Sequence, residues 1–339
     1  MNLSKGINFG GWLSQCNHTK EHYDNFINAQ DIHRVASWGF DHIRLPFDSE
    51  LVQRADGTFI EDGFLRLENF VRQAESEGLN VILDLHKACG YDFNNAGIEN
   101  KNTLFSSPHL QELFLSLWNE ISLRFGKAKN VAFELLNEVV EQDVAEPWNI
   151  LIESALEKIR KNAPSSLVIY GGIQWNSART LCLLKKPQSS NVMFTFHFYE
   201  PLIFTHQKAP WVPGMNLERQ INYPATLSYF RKESIPLGYK GKDVTDTDGE
   251  IPAIELIRQM VKEAVNSAKA AGVPLYCGEY GVIDRAPVEA TEAWFSDVHK
   301  VFEEYKINHA VWTYKEMDFG ITEDHYTPIR DSLIKMMTK

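Results

Sequence analysis

Short apolar runs alternate with amphipathic stretches along the whole chain. Gly6–Phe9 (GINF) reads as a first strand, and Asp31–Ser37 carries helical spacing that stops at Gly39. His42–Leu45 (HIRL) is a second strand, expected to close at Pro46. Gly63–Glu77 places Phe64, Leu67, Phe70, Val71 and Ala74 on one helical face, with Gly78 as the stop. Asn80–Leu85 is a third strand, Pro108–Phe125 a helix, and the run from Val131 a fourth strand that ends on Asn137 and Glu138. Trp148–Lys161 is helical, Ser166–Tyr170 a fifth strand and Asn191–Phe198 a sixth. Ile251–Ala271 is a helix, Pro274–Cys277 strand seven, Ala290–Tyr305 a helix, Asn308–Trp312 strand eight, and Tyr326 to the end a last helix.

Eight strand-then-helix units, with nearly continuous apolar strands, are the pattern of a parallel sheet covered by helices. Eight units close a (β/α)8 TIM barrel. The rival, an open doubly wound sheet, usually carries GxGxxG after its first strand, and GINFGGWL lacks that spacing. One domain spanning 1–339 is expected. Residues 199–250, rich in aromatics, Pro and Gly, are too long for an ordinary loop and are expected to form a lid or small subdomain after strand six.

Composition narrows the partners. A net charge of -11 argues against nucleic acid, whose phosphates need a basic face. No apolar run is long enough to span a membrane, and the N-terminus has no apolar signal-peptide core, so a leaderless, soluble monomer is expected. Cytoplasmic or extracellular action both fit. Cys16, Cys89, Cys182 and Cys277 are scattered, with no CxxC pair, which excludes the common structural zinc patterns.

The chemistry sits where strands end. Arg44 ends strand two and His86 strand three, Asn137 and Glu138 end strand four, and His197 and Tyr199 strand six. Glu279 follows strand seven, and Trp312 and Tyr314 close strand eight. In a barrel these points converge on one mouth. Glu134 lies inside strand four and is expected to face away. Two carboxylates on one rim suit glycosidic cleavage: one protonates the leaving oxygen, and the other attacks the anomeric carbon or activates water. A separation of roughly 5 Å implies attack and retention, and roughly 6.5–9.5 Å implies water and inversion. Like-charge repulsion is expected to raise the pKa of the acid. Asn137 can donate to a sugar 2-hydroxyl, Arg44 can hold the nucleophile ionised, and Trp312 offers an indole face. No HExxH, GxSxG or HxH appears, so neither a metal nor any other cofactor is expected.

These residues resemble glycoside hydrolase family 5, retaining β-glycanases on a (β/α)8 barrel. The resemblance rests on GINFGGWL (6–13), GFDHIRLPFD (39–48), LDLHKACG (83–90), FELLNEV (133–139), FHFYEP (196–201), CGEYGV (277–282) and VWTYKEMDFG (311–320). It implies Glu138 as acid/base and Glu279 as nucleophile. It further implies Arg44, His86, Asn137, His197, Tyr199 and Trp312 around the sugar at the cleavage point. FTHQKAPW (204–211) is similar to a stretch of leaderless clostridial-type cellulases, whereas HKACG at 86–90 stands where such relatives often read HHAPG. With 12% aromatic residues, Trp12, Tyr91, Trp175, Phe204 and Trp211 in predicted βα loops are candidate platforms for further sugars. The expected activity is a retaining endo-β-1,4-glucanase on cellulose-like or mixed-linkage β-glucan. A β-mannanase or dual enzyme, an exo-acting β-glucosidase or β-1,3-glucanase, and a non-catalytic glycan-binding barrel are the alternatives.

Overall fold

The computed structural model describes residues 1–339. Its eight strands pair in parallel, each with the next, and β8 returns to β1, so the sheet closes into a barrel. They are β1 (Lys5–Asn8), β2 (His42–Asp48), β3 (Asn80–Lys87), β4 (Val131–Glu134), β5 (Val168–Gly171), β6 (Val192–Phe198), β7 (Leu275–Tyr280) and β8 (Asn308–Val311). The covering helices are α1 (Ala29–Ser37), α2 (Glu61–Ser76), α3 (Pro108–Phe125), α4 (Ala145–Asn162), α5 (Leu227–Ser234), α6 (Ala253–Ala271), α7 (Val288–Tyr305) and α8 (Arg330–Met337). The (β/α)8 architecture expected from the apolar pattern is present. No helix is long and apolar enough to cross a membrane.

Several elements differ from the sequence reading for local reasons. β2 runs through Pro46 to Asp48. Arg44 O accepts from Phe9 N, so even-numbered residues of β2 direct their amides toward β1. The β1–β2 ladder ends at Asn8, so the N–H that Pro46 lacks would have had no ladder partner there. Regular pairing of β4 stops at Glu134, yet Leu135 N still bonds Ile169 O and Asn137 N bonds Leu85 O, which ties the approach to Glu138 to both neighbouring strands. Between β5 and β6 the chain forms a 3₁₀ turn, Ala178–Leu183, instead of an α-helix. Gly171, Gly172 and Pro187 leave no helical period there. Pro328 delays the last helix to Arg330.

Two apolar bodies hold the barrel. A continuous core of 94 buried residues lies mainly between strands and helices, and it takes in Phe204, Tyr223, Phe230, Leu237 and Val244 of the 199–250 segment. That segment therefore packs as folded structure on the molecule. Inside the barrel, Leu3, Ile82, Ala132, Ile169, Met193, Tyr276 and Ala310 form a separate plug. Two residues further along the strands the interior turns polar: Asp84 follows Ile82, Glu134 follows Ala132, and Thr195 follows Met193, all buried. The period of two that builds the plug thus also builds the floor of the site.

β7 breaks that period. Tyr276 belongs to the interior plug and Cys277 to the outer core, so strict alternation would turn residue 279 outward. The register shifts there: Phe196 faces Cys277 while the next residue, His197, faces Glu279. Gly278 is the extra residue of this bulge, and it re-aims Glu279 into the mouth. A Cβ on Gly278 would sit 2.9 Å from Thr195 Oγ1, too close to be accommodated without movement.

Candidate active site

Arg44 organises the mouth. Its guanidinium is wholly buried and its five N–H groups make five bonds. Nε donates to Glu134 Oε2 at 2.8 Å, and Nη1 donates to Asn8 Oδ1 at 2.9 Å and Glu279 Oε1 at 2.7 Å. Nη2 donates to Glu134 Oε1 at 2.9 Å and Asn137 Oδ1 at 2.8 Å. Asp84 Oδ2 lies 3.1 Å from Nη2 as a further counter-charge. Glu134 therefore points inward as the bidentate partner of Arg44, against the expectation that it faces away. Its position two residues after Ala132 was the available signal.

Glu279 is 5% exposed, and both its oxygens accept hydrogen bonds: Arg44 reaches Oε1, and the Tyr199 hydroxyl donates to Oε2 at 2.9 Å. Glu138 has no guanidinium partner. Its Oε1 is 2.8 Å from His197 Nδ1, which is also 3.5 Å from Glu279 Oε2. One oxygen of each glutamate and the His197 nitrogen all lie within 4.8 Å of one another.

Burial pushes both carboxyls up to about 7. Like-charge repulsion, expected to set the acid's pKa, is a smaller contribution to Glu279, after burial and the opposing pull of His197 and Arg44. For Glu138 the neighbouring charges, Lys240 and Arg44, pull the other way. What separates the pair is bonding. Donors on both oxygens favour the carboxylate form of Glu279, whereas Glu138 has the imidazole of His197 alone. Burial lowers His197 to about 4, so that ring is neutral at working pH.

Glu138, His197 and Glu279 are the residues whose spacing could hold a metal ion. A cation there would compete with Arg44 and Tyr199 for the Glu279 oxygens, so the donor set fits a metal poorly.

His86 stacks parallel to Trp312, with ring centroids 5.7 Å apart and 4° between planes. Its Nδ1 is 2.6 Å from Asp84 Oδ2. Burial lowers the pKa of His86, so the neutral ring donates from Nδ1 and is fixed in orientation by the carboxylate. Asn137 is held through its side chain by Arg44 and through its backbone carbonyl by Asn176 Nδ2 at 2.8 Å. Eight of the nine residues drawn from strand ends thus lie in one connected cluster. Asn8, Asp84, Glu134 and Asn176 complete it and were missed. Tyr314 departs from the cluster: its hydroxyl donates to Asp31 at 2.6 Å, behind the barrel wall.

The five candidate platforms divide. Trp175 is half-buried and Trp211 is 50% exposed, so both keep accessible surface. Trp12 is buried, its indole N–H donating to Tyr23 O at 2.9 Å and its ring packing on Phe70. Tyr91 is buried, its hydroxyl donating to Glu138 O and accepting from Val140 N, both at 2.7 Å. Phe204 is wholly buried against Tyr223. All three rings fold inward onto aromatic neighbours and are buried, the setting of framework residues. A cavity of about 970 Å³ between α2 and the short Lys20–Asn25 helix contains none of the site carboxylates.

The profile of the cellulase family (glycosyl hydrolase family 5) matches residues 5–318. Cellodextrinase A of Ruminococcus flavefaciens is 37% identical over 307 residues, covering 90% of this chain and 84% of that protein. Endoglucanase C of Acetivibrio thermocellus is 35% identical over 344 residues, covering 100% and 99%. The structure of Thermotoga maritima Cel5A in complex with mannotriose superposes with a TM-score of 0.75 at 25% identity, covering 99% and 97%. The chain belongs to glycosyl hydrolase family 5, the cellulase family, and is a glycoside hydrolase.

Proposed function

We propose that the enzyme is a retaining endo-β-1,4-glucanase acting on cellulose-like or mixed-linkage β-glucan. The observation that carries this reading is the Glu138–Glu279 approach, with carboxyl oxygens within 4.8 Å. That spacing matches direct carboxylate attack, for which roughly 5 Å is typical, and leaves no room for an interposed water. Glu279, held ionised by Arg44 and Tyr199, attacks the anomeric carbon. Glu138, holding its proton by burial, delivers it to the leaving oxygen. Glu138 then takes a proton from water as the water oxygen bonds to the anomeric carbon, which breaks the bond to Glu279 and frees the sugar. Asn137, oriented by Arg44, meets the sugar 2-hydroxyl. Trp312, braced by His86 and Asp84, lies along the attacked ring.

Two further readings have specific support. The Ruminococcus relative is a cellodextrinase, which favours action on short soluble chains. Cel5A was solved with mannotriose, which favours tolerance of an axial 2-hydroxyl. The test is product release from carboxymethyl-cellulose, lichenan and glucomannan, with a length profile on cello- and manno-oligosaccharides. Internal cleavage of lichenan and carboxymethyl-cellulose is expected. Release from glucomannan and manno-oligosaccharides alone would make it a mannanase, and stepwise glucose release from one end would make it exo-acting.

A further inference from the structure

The line between the two glutamates divides the mouth. Glu138 follows β4 and Glu279 lies on β7, so β5 and β6 fall on one side and β8, β1, β2 and β3 on the other. Trp312 and His86 belong to the second side. The first side carries Trp175, after β5, and Lys240, brought over the rim by the segment that follows β6.

Trp175 is held in a strained position. Gln174, Trp175 and Asn176 all adopt left-handed backbone, with φ of 56°, 59° and 52°. Three consecutive non-glycine residues in that region are costly and persist only where surroundings enforce them. Here Trp175 N bonds Val139 O and Asn176 O accepts from His197 N, so the turn is pinned to the strands that carry Glu138 and His197. Lys240 Nζ lies 4.5 Å from the centre of the Trp175 ring. The side chain is half-buried, yet its ammonium forms no ion pair or hydrogen bond; Glu138 and His206 are the titratable groups that feel its charge. By contrast the Arg285 guanidinium near Trp211 is already bonded to Asp318 at 2.6 Å.

We propose that Lys240 is a specificity-determining residue for the leaving sugar, donating to the edge of a ring stacked on Trp175. An ammonium has three donors and no acceptor, so its ligand must supply oxygen. A flat ring beside such a donor matches a pyranose, which presents C–H groups on its face and hydroxyls at its edge. When the sugar stacks on Trp175, the ammonium exchanges a cation–π contact for charge-assisted hydrogen bonds at the sugar edge. This inference rests on the glucanase reading above and deepens it.

The test compares two substrates in Lys240→Ala, Lys240→Met and Lys240→Arg. Cellotetraose has a sugar leaving group. The aryl glycoside 2,4-dinitrophenyl β-cellobioside releases a weakly basic phenolate that needs no sugar contact on that side. The ratio of kcat/KM for cellotetraose to kcat/KM for the aryl glycoside should fall about tenfold in the Ala and Met variants, the scale of one hydrogen bond from a charged donor. The Arg variant should recover most of that ratio. A ratio within about twofold of the wild type, or an equal fall on both substrates, would overturn the proposal and make Lys240 a framework residue. A wild-type enzyme that cleaves neither substrate would instead refute the glucanase reading itself.

Discussion

Tyr91→Phe separates a strut from a sugar platform. The hydroxyl spans the backbone on either side of Val139, donating to Glu138 O and accepting from Val140 N at 2.7 Å each. Both Tyr91 and Val140 are only 3% exposed, so water does not replace the lost bonds readily. An orphaned buried polar group costs about 1–3 kcal/mol, and at about 1–2 kcal/mol each the two backbone groups that share this hydroxyl give about 2–4 kcal/mol in total. For a chain of 339 residues the unfolding entropy is about 0.7 kcal/mol per degree, which converts that loss into a Tm fall of about 3–6 °C. The same bonds fix the main chain that carries the Glu138 carboxyl. Loosening it should lower kcat on cellotetraose about tenfold with little change in KM, because misplacement of a catalytic group is paid in the transition state. Thermal unfolding and steady-state kinetics are the assays. An unchanged Tm together with a raised KM would refute the reasoning and restore Tyr91 as a platform.

Three other outcomes are expected. Glu279 must be ionised and Glu138 protonated, and burial raises both to about 7, so kcat/KM should follow a narrow bell that falls on either side of neutral pH; a flat profile from pH 5 to 9 would contradict it. Glu138 binds its proton more tightly folded than unfolded, so its contribution to stability is full below its ordinary 4.5 and is lost as pH rises through about 7. Glu138→Gln should therefore gain up to about 3 kcal/mol on the wild type between pH 5 and 8, read as a growing Tm difference. Phe204→Ala should cost about 3–5 kcal/mol of stability, as for a buried ring, whereas Trp211→Ala, at a half-exposed site, should cost under about 0.5 kcal/mol; urea unfolding distinguishes them.

The barrel was legible because parallel strands buried on both faces leave long apolar runs, and because Gly39 and Gly78 mark element ends. The rim residues were legible because a polar group closing such a run has few structural excuses. Reading only the last residue of each strand is what concealed Asp84 and Glu134. Both sit one interior step below the rim, where alternation still points inward and Arg44 supplies the compensating charge. Glu279 shows the opposite problem: alternation counted from Tyr276 would have turned it outward, and only the bulge at Gly278 brings it in. The aromatic platforms were the least legible. Whether a loop ring faces a groove or the core depends on contacts made by distant segments, as with Phe70 under Trp12 and Tyr223 against Phe204. Lys240 carried no signal at all, since its place over Trp175 depends on how residues 199–250 pack.

The central claim is that Glu279 bonds directly to the anomeric carbon while Glu138 serves as acid and then base. The most direct measurement is ¹H NMR of the first product formed from a cello-oligosaccharide, before mutarotation. The β-anomer should appear first and decay toward the equilibrium mixture. Initial appearance of the α-anomer would mean that water attacks in one step, and the two-glutamate displacement would be wrong.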